Sequence, residues 1–508
     1  MKKNNRVALI VDNPCRDLPG LILIAMRLCQ EGNTCFLIPM NLYITECEDL
    51  DFDFILLHAL FPHDEEFVKK FREVGIRIGI LDTEGAVSNA VSGRSGGQFG
   101  MGALGSLSSL EAYVLRMSSD PEVRGQVACF CSWGTQLARC ASQAEWFREE
   151  QIFVTGSPRF DFYTFPWRSA SLRMLEDADR LPSPIILINT SFPLANPRNK
   201  TPEREKEMMQ TLFNFPADYL ESSHTLQKQA MAGMAELAND LTRRFPRVTF
   251  VFRPHPFEKL ETYRPLLDRR PNLHLLRIGT VDSWLLRAKA LISWNSSTAV
   301  EAGLAGIPAL SPLWLPTPAP VPVVDDLVVA CSTKEEMVQR VEDIVTGRFN
   351  ISPERQERLR EIVADWFYRV DGYSHQRVTS AIQQVLLNGW AEAIRPPIRR
   401  RLYLNPGRRQ TNRLRTNVAH RIKEALGLPF HWSLLKWEPI EERRWDGSSK
   451  QFDVDSVRRW TEMLYEISQS DENLRLGPVG VEVVRRRSRL PGHSWGRSIR
   501  LYPLNRGT

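Results

Sequence analysis

At 508 residues, 43% of them hydrophobic and 25% charged, the chain is too long for one ordinary core and too apolar to be a disordered tail. No apolar run approaches the ~18 residues of a spanning helix. Val7–Val11, behind the basic start Met1-Lys-Lys-Asn-Asn-Arg6, is broken by Asp12 and so reads as a buried strand, not a secretion signal. The net charge of +6 is uneven: residues 391–508 carry 24 Lys/Arg against 13 Asp/Glu, while the first 390 hold 42 against 47.

Short β-branched-rich runs at Arg6–Asp12, Thr34–Met40, Phe52–His58, Arg77–Leu81, Val127–Ser132 and Ile152–Thr155 alternate with helical patterns such as Gly20–Glu31 and Glu65–Val74. That alternation predicts a parallel sheet with crossover helices. A second series runs through Pro184–Ser191, Val248–Phe252, Leu273–Ile278, Ala290–Ser293, Ala309–Leu310 and Leu327–Ala330. The proline-rich stretch Pro158–Pro184 separates the two and contains the linker. The expected organisation is a Rossmann-like domain over 1–165, a linker at 166–183, a second Rossmann-like domain over 184–390, and a basic extension over 391–508. The pattern at Ser374–Leu387 predicts a helix closing the second domain. Two doubly wound α/β domains that face each other bind ligands in the cleft between them.

The eight cysteines include no CxxC pair, so buried free thiols in a reducing cytoplasm are expected and a zinc site is not. From Arg395 to Lys423 there are ten Lys/Arg and no acid. Residues 395–423 therefore offer an anionic membrane surface a peripheral docking segment, with a solvated or self-packed extension as the plainer reading. No nucleic-acid motif accompanies the arginines.

Three segments carry candidate chemistry. Leu81-Asp-Thr-Glu-Gly85 ends a strand, where Asp82 or Glu84 could act as a general base, although turn residues of this kind also occur without chemistry. The six-glycine segment Gly93–Gly105 is not a P-loop, because no Lys-Ser/Thr follows it; it reads as a loop over the cleft. Val251-Phe-Arg-Pro-His-Pro256 holds His255 between two prolines at a strand end, with Arg253 alongside, both suited to phosphate oxygens. About forty residues on, Asn295-Ser-Ser-Thr298 opens a helix, where unpaired N–H groups and the hydroxyls of Ser296, Ser297 and Thr298 suit an anion. Thr298 and Glu301 also fit a capping box; a ribose diol is the alternative partner for Glu301. Asp371 and Ser374 sit in a turn before the last helix and could simply cap it.

The ordered combination carboxylate–Gly, His-Pro, Ser-Ser-Thr resembles the motif series of bacterial sialyltransferases and capsule Kdo transferases. Val11–Gly20, Gly156-Ser-Pro-Arg-Phe-Asp161 and Ile188-Asn-Thr-Ser-Phe192 look like segments of surface carbohydrate biosynthesis proteins. The resemblance covers about residues 6–390. It implies a GT-B glycosyltransferase architecture with the donor nucleotide on the second domain and a glycan or lipid-linked acceptor on the first. By this resemblance Glu84 matches the base; Thr83 stands where another acid is often found, which leaves Asp82 open as well. His255, Ser296, Ser297 and Thr298 match the nucleotide contacts of that pattern; Arg253, Pro256 and Glu301 complete the candidate nucleotide-binding set, and Arg16, Asn189, Ser191 and Asp371 are candidate substrate contacts. The implied reaction is metal-independent, inverting transfer from a nucleotide sugar, preferably a CMP-activated acidic sugar, with no cofactor. A nucleotide-sugar epimerase, a CDP-polyol phosphotransferase and a non-catalytic assembly protein are the competing readings.

Overall fold

A computed structural model describes residues 4–504 apart from 41–42, 44–49, 51, 62–63, 74, 84–119, 176–180, 199, 214, 318–323, 325–326, 388–451 and 485–497. Strands β1 (Arg6–Val11), β2 (Thr34–Pro39), β3 (Phe54–Leu57), β4 (Arg77–Leu81), β5 (Val127–Ser132) and β6 (Ile152–Val154) pair in parallel in the order β2-β1-β3-β4-β5-β6. Their apolar runs bury on both faces, as a sheet covered by helices on each side requires. Chain order reverses at β1, whose neighbours are β2 and β3.

The second sheet contains β7 (Ile185–Asn189), β8 (Thr249–Arg253), β9 (Leu273–Leu275), β10 (Ala290–Ser293), β11 (Ala309–Pro312) and β12 (Val329–Cys331). Its order β12-β11-β10-β7-β8-β9 is parallel throughout. This is the doubly wound dinucleotide-fold order, with its switch point between β7 and β10. Fold class therefore agrees with expectation: two Rossmann-like sheets face a common cleft. Five helices pack on these sheets and recur below: α1 (Pro14–Gln30), α2 (Thr135–Gln143), α3 (Thr298–Leu304), α4 (Ser374–Leu387) and α5 (Val454–Ser468).

Two expectations about the C-terminal part are corrected. The helix at Ser374–Leu387 forms as read, but it does not close the second sheet. Its stripe Val378, Ala381, Ile382 and Val385 packs with α1 on the first sheet. Arg377 Nε donates to Thr155 O at 2.7 Å, and Arg77 Nη1 donates to Val385 O at 2.6 Å. Helical periodicity defined the apolar face; nothing in it said which sheet that face would meet.

Residues 391–508 are not wholly a separate extension either. Strands β13 (Val479–Val483) and β14 (Ile499–Pro503) form an antiparallel hairpin, and β14 pairs antiparallel with β2, so the first sheet has eight strands. Asp453 caps α5 by accepting from Ser456 N at 2.7 Å. The helix buries Val454, Val457, Trp460, Leu464 and Ile467 in the cluster that contains α1. Trp460 meets Phe162 edge to face at 5.7 Å. Trp460→Ala should cost about 3–5 kcal/mol by loss of burial and the cavity left behind, read as a lower unfolding midpoint in urea. The basic stretch 395–423 and the glycine-rich segment 93–105 lie outside the described residues. No described helix is long and apolar enough to cross a membrane.

Candidate functional site

The C-terminal ends of both sheets open onto one cleft of about 440 Å³. The second sheet lines it with Asn189, Thr190 and Ser191 after β7, Arg253, His255 and Pro256 after β8, and Asn295–Thr298 after β10. The first sheet contributes Asn13, Cys15 and Arg16 at the start of α1, Thr83 after β4 and Trp133 after β5. The second-sheet groups gather because ligand-facing loops follow the strands on either side of the switch point.

Arg253 is the last residue of β8 and is 7% exposed. Its Nη2 donates to Gly279 O at 3.1 Å, Nε has no partner, and it makes no ion pair among the described residues. Burial lowers its pKa, opposed by the acidic groups of Cys15, Asp282, Glu301 and Tyr163 nearby. His255 Nδ1 accepts from Phe257 N at 3.2 Å. The neutral ring then carries its proton on Nε2, a hydrogen-bond donor. Behind the turn lies Glu258, fully buried. Its carboxylate accepts from His255 N at 3.1 Å, Phe192 N at 2.9 Å, Thr190 Oγ1 at 3.0 Å and the Tyr263 hydroxyl. Glu258 thus ties the loop after β7 to the Pro-His-Pro turn. Burial raises its pKa, and these hydrogen bonds work against the rise.

After β10 the chain turns at Asn295, whose φ of 44° lies in the left-handed region that asparagine tolerates better than most residues. Ser296 Oγ lies 3.0 Å from Thr298 Oγ1 and accepts from Thr298 N at 3.3 Å. Ser297 is the N-cap of α3 and makes no side-chain capping bond, so its exposed hydroxyl is uncommitted to the helix. The expected Thr298–Glu301 capping box does not form. Glu301, 2% exposed, instead accepts from Tyr163 Oη at 2.8 Å and pairs with Arg159. Arg159 and Tyr163 belong to the segment that follows the first sheet, so Glu301 ties the two halves together. Burial, and then the charge of Glu301, pushes the Tyr163 pKa well above its usual value.

On the opposite wall, Arg16 is held by Asp12 at 2.9 Å and Asp17 at 2.8 Å. Asp82 is 4% exposed and borders a separate void of about 30 Å³ rather than the main cleft; its neighbour Thr83 takes the cleft position. The backbone O of Asp82 accepts from Trp133 Nε1 at 2.6 Å. Glu84 lies outside the described residues. Asp371 is not brought to the cleft: it pairs with Arg377 at 2.9 Å and accepts from Tyr373 N at 3.1 Å.

The cleft therefore collects Arg253, His255, Pro256, Ser296, Ser297, Thr298, Glu301, Arg16, Asn189 and Ser191 from the expected set, and leaves out Asp82 and Asp371. Sequence reasoning gave no role to Arg159, Tyr163, Glu258 or Asp282. Arg159 stands in the Gly156–Asp161 segment, and Glu258 follows the Pro-His-Pro turn by two residues, yet nothing in the pattern marks either as buried. Asp282 lines the cleft at a short helix start, with its carboxyl pKa pushed up by burial and its hydrogen bonds working against the rise. Among the described residues no group of three His, Cys, Asp or Glu side chains is placed to hold a metal ion.

No protein-family model matches the chain, and no curated protein matches it. Solved structures do. A UDP-GlcNAc 2-epimerase from Neisseria meningitidis bound to UDP-GlcNAc is 12% identical, with 75% of this chain and all of that one covered, at a TM-score of 0.43. The Methanocaldococcus jannaschii UDP-GlcNAc 2-epimerase in complex with UDP-GlcNAc and UDP is 12% identical over 75% of this chain and 99% of its own, at 0.44. The wall teichoic acid polymerase TagF is 11% identical over 75% of this chain and 89% of its own, at 0.46.

Proposed function

We propose that the chain is a nucleotide-sugar-dependent glycosyltransferase of surface polysaccharide biosynthesis. The observation that carries this is the convergence of Arg253, His255 and Ser296–Thr298 on one cleft at the β7/β10 switch point, with Arg253 buried and in no ion pair among the described residues. A buried guanidinium with no directly paired carboxylate is costly, and an anionic ligand offsets the cost. In this reading the donor phosphate meets His255 Nε2–H and the hydroxyls of Ser296, Ser297 and Thr298, with the positive charge of Arg253 behind them. These groups stabilise the negative charge that grows on the departing phosphate, so no metal need be invoked. The acceptor enters from the α1 side, past Arg16. Glu84 remains the preferred base on the resemblance, because Asp82 lies off the cleft. The preferred donor is a CMP-activated acidic sugar, and the acceptor a glycan or lipid-linked glycan at the inner face of the cytoplasmic membrane. The domain division proposed is 1–165 completed by α4, α5 and the β13–β14 hairpin, and a second unit over 184–373 in place of the expected 184–390.

Calorimetry of the purified chain with CMP, CDP, UDP and GDP tests this. Selective CMP binding, weakened about 10²-fold or more in His255→Ala, is the expected result. Selective CDP or UDP binding shifts the reaction toward polyol-phosphate transfer or epimerisation, which product analysis then separates: epimerisation needs no acceptor. Failure of all four nucleotides to bind removes the proposal.

A further inference from the structure

The strands of the second sheet change character at the same height. On β7 the face that carries Ile185 and Leu187 ends in Asn189; on β8 the face of Val251 ends in Arg253; on β10 the face of Leu291 ends in Ser293. The apolar members of these rows share one cluster. Asn189 is the Cα partner of both Arg253 and Ser293, so the three polar residues form one row, side by side across neighbouring strands. They are 3%, 7% and 1% exposed. Asn189 Oδ1, Arg253 Nε and Ser293 Oγ are buried without a hydrogen-bond partner among the described residues. Asn189 and Arg253 line the cleft. Buried polar atoms are nearly always partnered in native chains, so three adjacent orphans, one of them on a cation with no ion pair among the described residues, point to a ligand.

We propose that Asn189, Arg253 and Ser293 form a second oxyanion subsite at the floor of the cleft, distinct from the His255 and Ser296–Thr298 rim, and that it takes a carboxylate. The guanidinium offers parallel N–H donors in a planar fork, which matches the two coplanar oxygens of a carboxylate. The Asn189 carboxamide adds a donor to the anion and an acceptor for a neighbouring hydroxyl, and Ser293 can serve either role. A hydroxy acid satisfies this mixed set better than a phosphate, which has no donor for Asn189 Oδ1 when fully ionised. The proposal rests on the reading of the rim as the phosphate site, and it specifies that the bound group carries an acid of its own.

The test uses the full chain with CMP and with lactate, a small hydroxy acid, followed by thermal shift and ligand-observed NMR. Lactate should bind wild type in the presence of saturating CMP. Asn189→Asp places a carboxylate beside Arg253 and supplies the anion from within. It should raise the melting temperature, weaken lactate by at least about tenfold, and weaken CMP by clearly less, since His255 and Ser296–Thr298 are untouched. Asn189→Leu, which adds no charge, should lose lactate without the gain in melting temperature. His255→Ala should weaken CMP and keep lactate. The proposal is overturned if lactate fails to bind while CMP binds, if the two compete, or if both Asn189 variants weaken them equally. Lactate binding without CMP binding would leave the floor subsite standing and remove the nucleotide reading of the rim.

Discussion

Glu301→Ala is expected to lower the folding free energy by about 3–5 kcal/mol, because it leaves Arg159 without its partner in a half-buried site and strips the acceptor from buried Tyr163. The carboxylate side chain is 3% exposed and that of Arg159 17%, so solvent cannot take over the lost contacts cheaply. Glu301→Gln keeps an acceptor for Tyr163 and loses the charge; it should fall between alanine and wild type. Urea denaturation followed by tryptophan fluorescence measures both. A loss below about 1 kcal/mol for the alanine variant would mean that the pair behaves like an exposed ion pair and does not tie the halves together.

The second large effect is steric. Gly134 is the N-cap of α2, and a Cβ there would lie 2.3 Å from the Trp366 carbonyl carbon and 2.4 Å from the carbonyl oxygens of Asp365 and Trp366. These are backbone atoms and cannot rotate away. The φ of −144° is open to any residue, so the conflict is one of space alone. Gly134→Ala should force the start of α2 away from the turn Val363–Phe367, displacing Trp133 and Phe367, which line the cleft from either side of that contact. The expected outcome is about 1–3 kcal/mol of lost stability and, for the proposed transfer reaction, about 10²-fold lower turnover, since a displacement near 1 Å is enough for that. Gly32→Ala is the control. Its φ of 88° makes alanine strained, but no atom lies within 4 Å, so it should cost stability without loss of nucleotide affinity.

Much of the fold was legible from residue patterns. The runs at 6–11, 34–39, 77–81 and 127–132 were readable because fully buried parallel strands leave continuous apolar stretches such as Val127-Ala-Cys-Phe-Cys-Ser132. The hairpin Val479–Val483 with Ile499–Pro503 was not, because Val-Gly-Val-Glu-Val and Ile-Arg-Leu-Tyr-Pro are short, half-buried and set among arginines. Helix α1 was read from Gly20, six residues late, since Pro14 and Pro19 obscured its first turns. In the cleft, the Pro-His-Pro turn and the Ser-Ser-Thr turn were visible because both prolines and clustered hydroxyls mark strand ends. For Glu301 the capping box suggested by its spacing from Thr298 satisfies only a local rule, whereas its partners Arg159 and Tyr163 lie about 140 residues away and leave no local mark. The orientation of Asp82 was not legible for a related reason: a strand-end acid can turn toward the cleft or beneath it, and alternation alone does not say which.

The return of α4, α5 and β14 to the first sheet has a consequence for the order of assembly during translation. Strands β7–β12 arise from one continuous stretch, residues 185–331, and can complete their sheet as it leaves the ribosome. The sheet begun by β1 cannot: the outer edge of β2 stays open until residues 499–503 have been made, more than 450 residues after Thr34. At about 5–20 residues per second that interval lasts tens of seconds, during which an unpaired apolar strand edge is exposed to other nascent chains. The half that is synthesised first is therefore the half that finishes last, and a fragment ending before residue 450 would carry a permanent sticky edge along β2.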